Sequence, residues 1–145
     1  MGGLLLVVGL AVLGVLLPGP VQAFGMNFDF HFMFVASALA ILGTQLVVLG
    51  LAAKTHARAE LRVDDRWLAF LDRWFTLERG LLVGLALLAA GLGINVMILV
   101  DWLRAGRAAL FAVRPALLGL TLLVVGTQLA FGSFFISVVR DDARP

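Results

Sequence analysis

Apolar residues dominate four stretches of the chain, at about residues 1–17, 32–53, 77–100 and 115–139. A helix needs roughly 20 apolar residues to cross the hydrocarbon core of a bilayer, and the last three stretches reach that length. The runs are too long for barrel strands, and single strands do not cross a membrane alone. The pattern predicts an all-α membrane protein, with residues 1–145 forming one four-helix transmembrane domain.

The first stretch is short for a span and permits a second interpretation. Val21-Gln22-Ala23 resembles the cleavage site of a signal peptide, which would remove the stretch from the mature protein. No Lys or Arg precedes Leu4, however, and Pro18-Gly19-Pro20 is an ordinary way to end a helix. We therefore favour a first transmembrane helix and leave cleavage as the alternative.

Two connecting segments have their own patterns. Apolar residues at spacings of three, four and seven predict an amphipathic helix at about residues 60–76, lying in the interface with its apolar side toward lipid. In the first loop, a phenylalanine occupies every second position from Phe28 to Phe34, alternating with Asn27, Asp29, His31 and Met33. This period of two predicts an extended segment on the outer surface, with no partner strand evident in the sequence.

An internal repeat relates the second and fourth stretches. Leu42-Gly43-Thr44-Gln45-Leu46 recurs 83 residues later as Val125-Gly126-Thr127-Gln128-Leu129. The same offset carries the first stretch onto the third. We predict two helical hairpins in the same orientation, related by an axis near the membrane normal.

Composition agrees with a membrane protein and excludes several classes. Hydrophobic residues make up 62% of the chain and charged residues 14%, which is too apolar for a soluble domain. Cysteine is absent, so thiol chemistry and disulfides are excluded, and we expect no cofactor, metal site or catalytic residue. The basic residues form no dense run, which argues against nucleic acid as a partner. No charged residue lies deep in a predicted span, which argues against an ion pump.

Basic residues are distributed unequally between the two sides. With four spans, eight Lys and Arg residues lie in the middle loop and the tail, against three on the other side. This asymmetry predicts that both termini and the middle loop are cytoplasmic. In a bacterium the chain would then lie in the inner membrane.

Polar residues in the spans are the first candidate site. Gln45 and Gln128, with Thr44 and Thr127, lie near the middle of their predicted helices. A lone amide in hydrocarbon costs several kcal/mol, so each needs a partner. We expect mainly hydrogen bonds across the bundle, and the alternative is a polar site that contacts a substrate. We also expect the two glutamines to face the bundle axis.

A second candidate site is a group of charged residues at the predicted cytoplasmic ends of the second and third helices. Its members are Lys54, Arg58, Arg73, Glu78 and Arg79. The simpler interpretation is anchoring at the interface, and the functional one is recognition of a lipid phosphate. Asp29 and His31 would share a face of the extended segment, but no further ligands lie nearby in the sequence.

Small residues form stripes along the last three predicted helices, and such stripes let helix backbones approach closely. They are Ala36, Ala40, Gly43 and Gly50, then Gly80, Gly84 and Gly91, then Gly119, Gly126 and Ala130. We expect packing within the chain, with self-association into a homo-oligomer as the alternative.

Several motifs together resemble a known family. They are His31-Phe32-Met33, the two Gly-Thr-Gln-Leu copies, Thr76-Leu77-Glu78-Arg79-Gly80 and Ser133-Phe134-Phe135-Ile136-Ser137. From the first stretch to Arg140, the chain resembles the C-terminal membrane region of bacterial family 2 glycosyltransferases that act on polyprenyl phosphates. The resemblance implies a polyprenyl phosphate ligand and a cytoplasmic catalytic domain as partners.

The resemblance does not extend to catalysis. In the family, a nucleotide-sugar-binding domain precedes the helices and carries the acidic metal motif and the catalytic base; this sequence contains neither. We therefore expect a membrane anchor that presents the lipid carrier and does not transfer sugar alone, as a fragment or as a free-standing subunit. The alternative is an independent four-helix protein that translocates lipid-linked sugars or acts as a scaffold.

Overall fold

The computed structural model describes residues 1–23, 25–61, 77–105 and 112–141. These residues form four α-helices and a two-stranded hairpin. Helix α1 spans Gly2–Leu16, strands β1 and β2 span Val21–Ala23 and Met26–Phe28, and helices α2, α3 and α4 span Phe30–Leu61, Leu77–Arg104 and Val113–Asp141. The predicted helical architecture is confirmed, and each of the last three helices is longer than its apolar stretch.

Three of the helices are long and apolar enough to cross a membrane. The candidate spans are Phe30–Ala57, Glu78–Arg104 and Val113–Val139, of 28, 27 and 27 residues. Helix α1, also apolar, is shorter, at 15 residues. The chain is therefore a membrane protein.

The helices pack in the order α1, α2, α4, α3, with extensive contacts between each neighbouring pair. Helix α1 runs antiparallel to α2, since Gly9 lies against Ala36 and Ala40 while Gly2 lies against Gly43. Helix α3 is antiparallel to α4 in the same way. Helices α2 and α4 run in the same direction, and their contact joins one hairpin to the other.

The first loop differs from the sequence prediction. Strand β1 pairs antiparallel with β2, from Val21↔Phe28 to Ala23↔Met26, and Gly25 turns the chain with φ 74°. A partner strand therefore exists, and the extended segment ends at Phe28. The chain becomes helical at Phe30, whose backbone N–H donates to Asp29 Oδ1 at 2.7 Å. The extended structure predicted from Phe30, Phe32 and Phe34 is wrong, since the Asp29 carboxylate caps a helix that starts at Phe30.

Helix α2 continues past its predicted end to Leu61 and includes the start of the predicted interfacial helix. Residues 62–76 of that helix lie outside the described residues. A buried apolar cluster lies at the other end of α2, where α1, α2 and α4 meet. It consists of Leu13, Leu16, Met33, Ala36 and Leu117, with Val21 and Phe28 of the hairpin packed against it.

Candidate functional site

Close backbone contact holds α1 against α2. A Cβ atom added at Gly9 would lie 2.5 Å from Ala40 N and 2.6 Å from Ala36 O. At Gly43, an added Cβ would collide with the backbone of Leu6 and Gly2. No larger residue fits these positions without moving a helix, so the predicted role of the small residues in internal packing is confirmed here.

Helices α3 and α4 make the corresponding contacts. A Cβ atom at Gly126 would lie 2.6 Å from both Gly84 O and Leu88 N, and one at Gly91 would lie 2.5 Å from Gly119 O. Gly50, which we placed in the same stripe as Gly43, has nothing within 4 Å of an added Cβ. That position is not a close contact.

The contact between α2 and α4 includes a buried hydrogen bond between hydroxyl groups. Ser37 Oγ and Thr121 Oγ1 lie 2.7 Å apart, and both residues are buried. Thr121 donates its single hydroxyl hydrogen to Leu117 O at 2.7 Å, so Ser37 is the donor to Thr121. We did not predict this pair, although its separation of 84 residues almost equals the repeat offset of 83.

An ion pair lies at the β-hairpin end of the same contact. Arg114 donates to Asp29 Oδ1 at 2.6 Å, and both side chains are partly exposed. The sequence placed Asp29 and His31 on one face of an extended segment, but Asp29 instead reaches the start of α4. The hydrogen bond from Arg114, with that from the Phe30 backbone, lowers the pKa of Asp29 below its usual value.

The lowered pKa makes the stability of this end depend on pH. A carboxylate whose pKa is lower in the folded state contributes stability that is complete above its unfolded pKa, near 3.8. This contribution to stability is lost as the pH falls through the pKa of Asp29 in the folded state, which lies below 3.8. We expect Asp29→Asn to lower the melting temperature at about pH 6 and to have a smaller effect at about pH 2.5. A loss of equal size at both pH values would contradict the assignment, and Asp101→Asn is the control.

Gln45 and Gln128 line one pocket between α2 and α4. The pocket has a volume of about 420 Å³ and is otherwise lined by apolar side chains and Thr127. Its lining residues are Gln45, Val48, Leu49, Ala52, Thr127, Gln128, Phe131, Gly132 and Phe135. The repeated motif therefore brings its two glutamines to the same site.

The two amides do not bond as we expected. Among the described residues, no hydrogen bond joins them, and Gln128 Oε1 is buried with no partner. Gln45 is exposed on the outside of the helices and does not face the interior. The prediction that both glutamines point toward the bundle axis was therefore wrong for Gln45, whose side chain is exposed at the pocket between α2 and α4.

The two threonines bond within their own helices. Thr44 is fully buried and donates to Ala40 O, while the exposed Thr127 donates to Leu123 O, each at 2.8 Å. A hydroxyl satisfied by the preceding turn does not need a partner on another helix. The expected hydrogen bonds between helices from Thr44 and Thr127 are absent from the described contacts.

The predicted phosphate-recognition residues lie at the end of the helices away from the β-hairpin. Lys54 is exposed near the end of α2, and Glu78 and Arg79 are exposed in the first turn of α3. Helix α2 runs parallel to α4, and α3 runs antiparallel to α4. The end of α2 and the start of α3 therefore lie at the same end of the bundle. The side chain of Arg58 and all of Arg73 lie outside the described residues. In the part of the chain that the structure describes, no cluster of His, Asp and Glu could hold a metal ion.

Comparison with known proteins identifies the family. Residues 51–140 match the model of the glycosyltransferase family 2 C-terminal transmembrane region. The chain is also 26% identical, over 137 residues, to the low-salt glycan biosynthesis hexosyltransferase Agl6 of Haloferax volcanii. That alignment covers 92% of this chain and 33% of the relative, so the chain spans about a third of the relative's length. No solved structure matches the chain. The chain belongs to the C-terminal transmembrane region family of the family 2 glycosyltransferases.

Proposed function

We propose that the chain anchors a family 2 glycosyltransferase in the membrane and presents its lipid carrier, a polyprenyl phosphate, to a cytoplasmic catalytic domain. The family match carries this proposal. The exposed charges at the end of α2 and the start of α3 support it, because Lys and Arg side chains at a membrane interface bind phosphate groups well. Lys54 and Arg79 would contact the phosphate, and Arg58 and Arg73 stay in the proposed group on the sequence alone.

Binding of the lipid by the chain in nanodiscs tests this role. We expect it to bind polyprenyl phosphate more tightly than polyprenol, which has the same hydrocarbon chain and no phosphate. Lys54→Gln with Arg79→Gln should weaken binding of the phosphate about tenfold, the effect of losing charge-assisted hydrogen bonds worth about 1.4 kcal/mol in all.

The matched control is Arg104→Gln, an exposed arginine at the opposite end of α3. Equal loss in this variant, or equal binding of the phosphate and the alcohol, would contradict the proposal. Transport of a lipid-linked sugar across vesicles by the chain alone would favour the translocator alternative instead.

We further propose that the two hairpins are copies of one unit and that all four helices span the membrane. Equivalent close contacts support this. Gly43 against Leu6 corresponds to Gly126 against Leu88, and Gly9 against Ala40 corresponds to Gly91 against Leu123. These pairs give an offset of 83 residues between α2 and α4 and of 82 between α1 and α3, one less than the sequence alignment used.

Both termini are proposed to be cytoplasmic, on the evidence of the eight-to-three distribution of basic residues. A reporter fused after the last residue should indicate the cytoplasm, and one inserted in residues 106–111 should indicate the opposite side. The reverse result at the C-terminus would disprove this orientation.

A further inference from the structure

The pocket between α2 and α4 contains an unsatisfied hydrogen-bond acceptor. Gln128 Oε1 is buried in the wall of the pocket without a donor, and the exposed Gln45 lines the same pocket. A buried polar atom without a partner is costly in protein and in lipid. The group that occupies this pocket in the membrane should therefore supply a donor.

The depth of the two glutamines restricts what that group can be. Gln45 is the sixteenth residue of the span Phe30–Ala57, and Gln128 is the sixteenth residue of the span Val113–Val139. Both positions lie near the bilayer midplane. The hydrocarbon chains of lipids have no hydrogen-bond donor at this depth, so a lipid tail in the pocket would leave the acceptor unpaired. A transmembrane helix with a polar side chain can supply the donor.

A second copy of this chain can supply the hydrogen-bond donor for Gln128 Oε1 from its own Gln45. A glutamine amide both donates and accepts, and a twofold axis along the membrane normal keeps every residue at its own depth. The exposed Gln45 of one copy would then lie level with Gln128 of the other. The rim of the pocket adds apolar contact area, since Leu49 and Phe131 are 62% and 72% exposed.

We propose that two copies of the chain associate through the α2–α4 pocket face, where rotation of the Gln128 side chain brings its buried Oε1 into the pocket to accept from Gln45 Nε2 of the other copy. The two hydrogen bonds are equivalent by symmetry, as in an isologous interface. This proposal is independent of lipid-carrier binding.

Disulfide cross-linking tests the proposal directly, because the chain contains no cysteine. We expect Leu49→Cys to form a dimer on mild oxidation in membranes, with a yield at least tenfold higher than that of Leu82→Cys. Leu82 is a matched control, since it is 66% exposed and lies on α3 near the same end of the bundle as Leu49. Adding Gln128→Leu to Leu49→Cys should reduce the dimer yield severalfold, and molecule counting in dilute vesicles should give two copies for the unmodified chain.

Other occupants predict different results. Equal cross-linking at Leu49 and Leu82 would overturn the proposal, as would single copies in dilute vesicles. Cross-linking of Leu49→Cys only to a different protein would assign the face to a foreign helix. If Gln128→Leu leaves the dimer yield unchanged, the Gln128 amide takes no part in the interface and the proposed hydrogen bond is wrong. Lipid-phosphate binding is measured separately, so its failure and the failure of this proposal can be told apart.

Discussion

Replacing Gly126 with valine should destabilise the α3–α4 hairpin by about 3 kcal/mol, the upper part of the usual range for overpacking. The added Cβ would lie 2.6 Å from Gly84 O and from Leu88 N. Both are backbone atoms, which cannot rotate away as a flexible side chain can, so the two helices must separate. Reversible unfolding in detergent or bicelles measures this loss.

Gly93→Val on α3 is the control for this substitution. A Cβ atom at Gly93 has nothing within 4 Å, so only helix propensity changes, by less than about 1 kcal/mol. If the two hairpins are equivalent, Gly43→Val should cost as much as Gly126→Val. A loss at Gly126 no greater than at Gly93 would show that the helices do not approach as closely as described.

Replacing Thr121 with leucine should cost about 2–3 kcal/mol of stability, because the larger side chain overpacks the contact. Thr121 is fully buried between α2 and α4. The substitution also removes the acceptor for the Ser37 hydroxyl, which contributes about 0.6 kcal/mol for an average hydrogen bond between membrane helices. Thr121→Val keeps the size of the side chain, so its loss of stability measures the hydrogen bonds of the Thr121 hydroxyl alone.

The same helix provides a matched control in Thr127. Its hydroxyl also bonds to the carbonyl four residues earlier, but the side chain is exposed. Thr127→Leu should therefore change stability by less than about 0.5 kcal/mol when unfolding is measured at low protein concentration. Equal losses at Thr121 and Thr127 would mean that the buried hydroxyl pair does not hold α2 and α4 together.

The helical architecture was predictable because long apolar runs have few alternatives in a membrane. The role of Gly43 and Gly126 in close packing was also accessible, since glycine within a membrane helix is typical of a close approach between two backbones. The small β-hairpin was missed because three-residue strands give almost no periodic signal, and the alternation at Phe30–Phe34 pointed to the wrong structure.

The candidate site was harder to predict for a different reason. The sequence identifies Gln45 and Gln128 as polar residues of the spans but not the direction in which each points, because that depends on how α2 and α4 rotate against each other. Ser37 and Asp29 were missed as contacts of α4 for the same reason. The residues at the ends of α2 and α3 could be grouped from charge alone, whereas their ligand depends on chemistry outside this chain.

The side-by-side contact of α2 and α4 has a consequence for how the protein is assembled. Most contacts of α1 lie within the first hairpin and most of those of α3 within the second, so each half can form locally as it enters the membrane. The halves then dock mainly through the contact of α2 with α4, which includes Ser37 and Thr121. Two separately expressed hairpins should therefore associate in the bilayer and form the complete four-helix unit. The protein could then be reconstituted from two fragments.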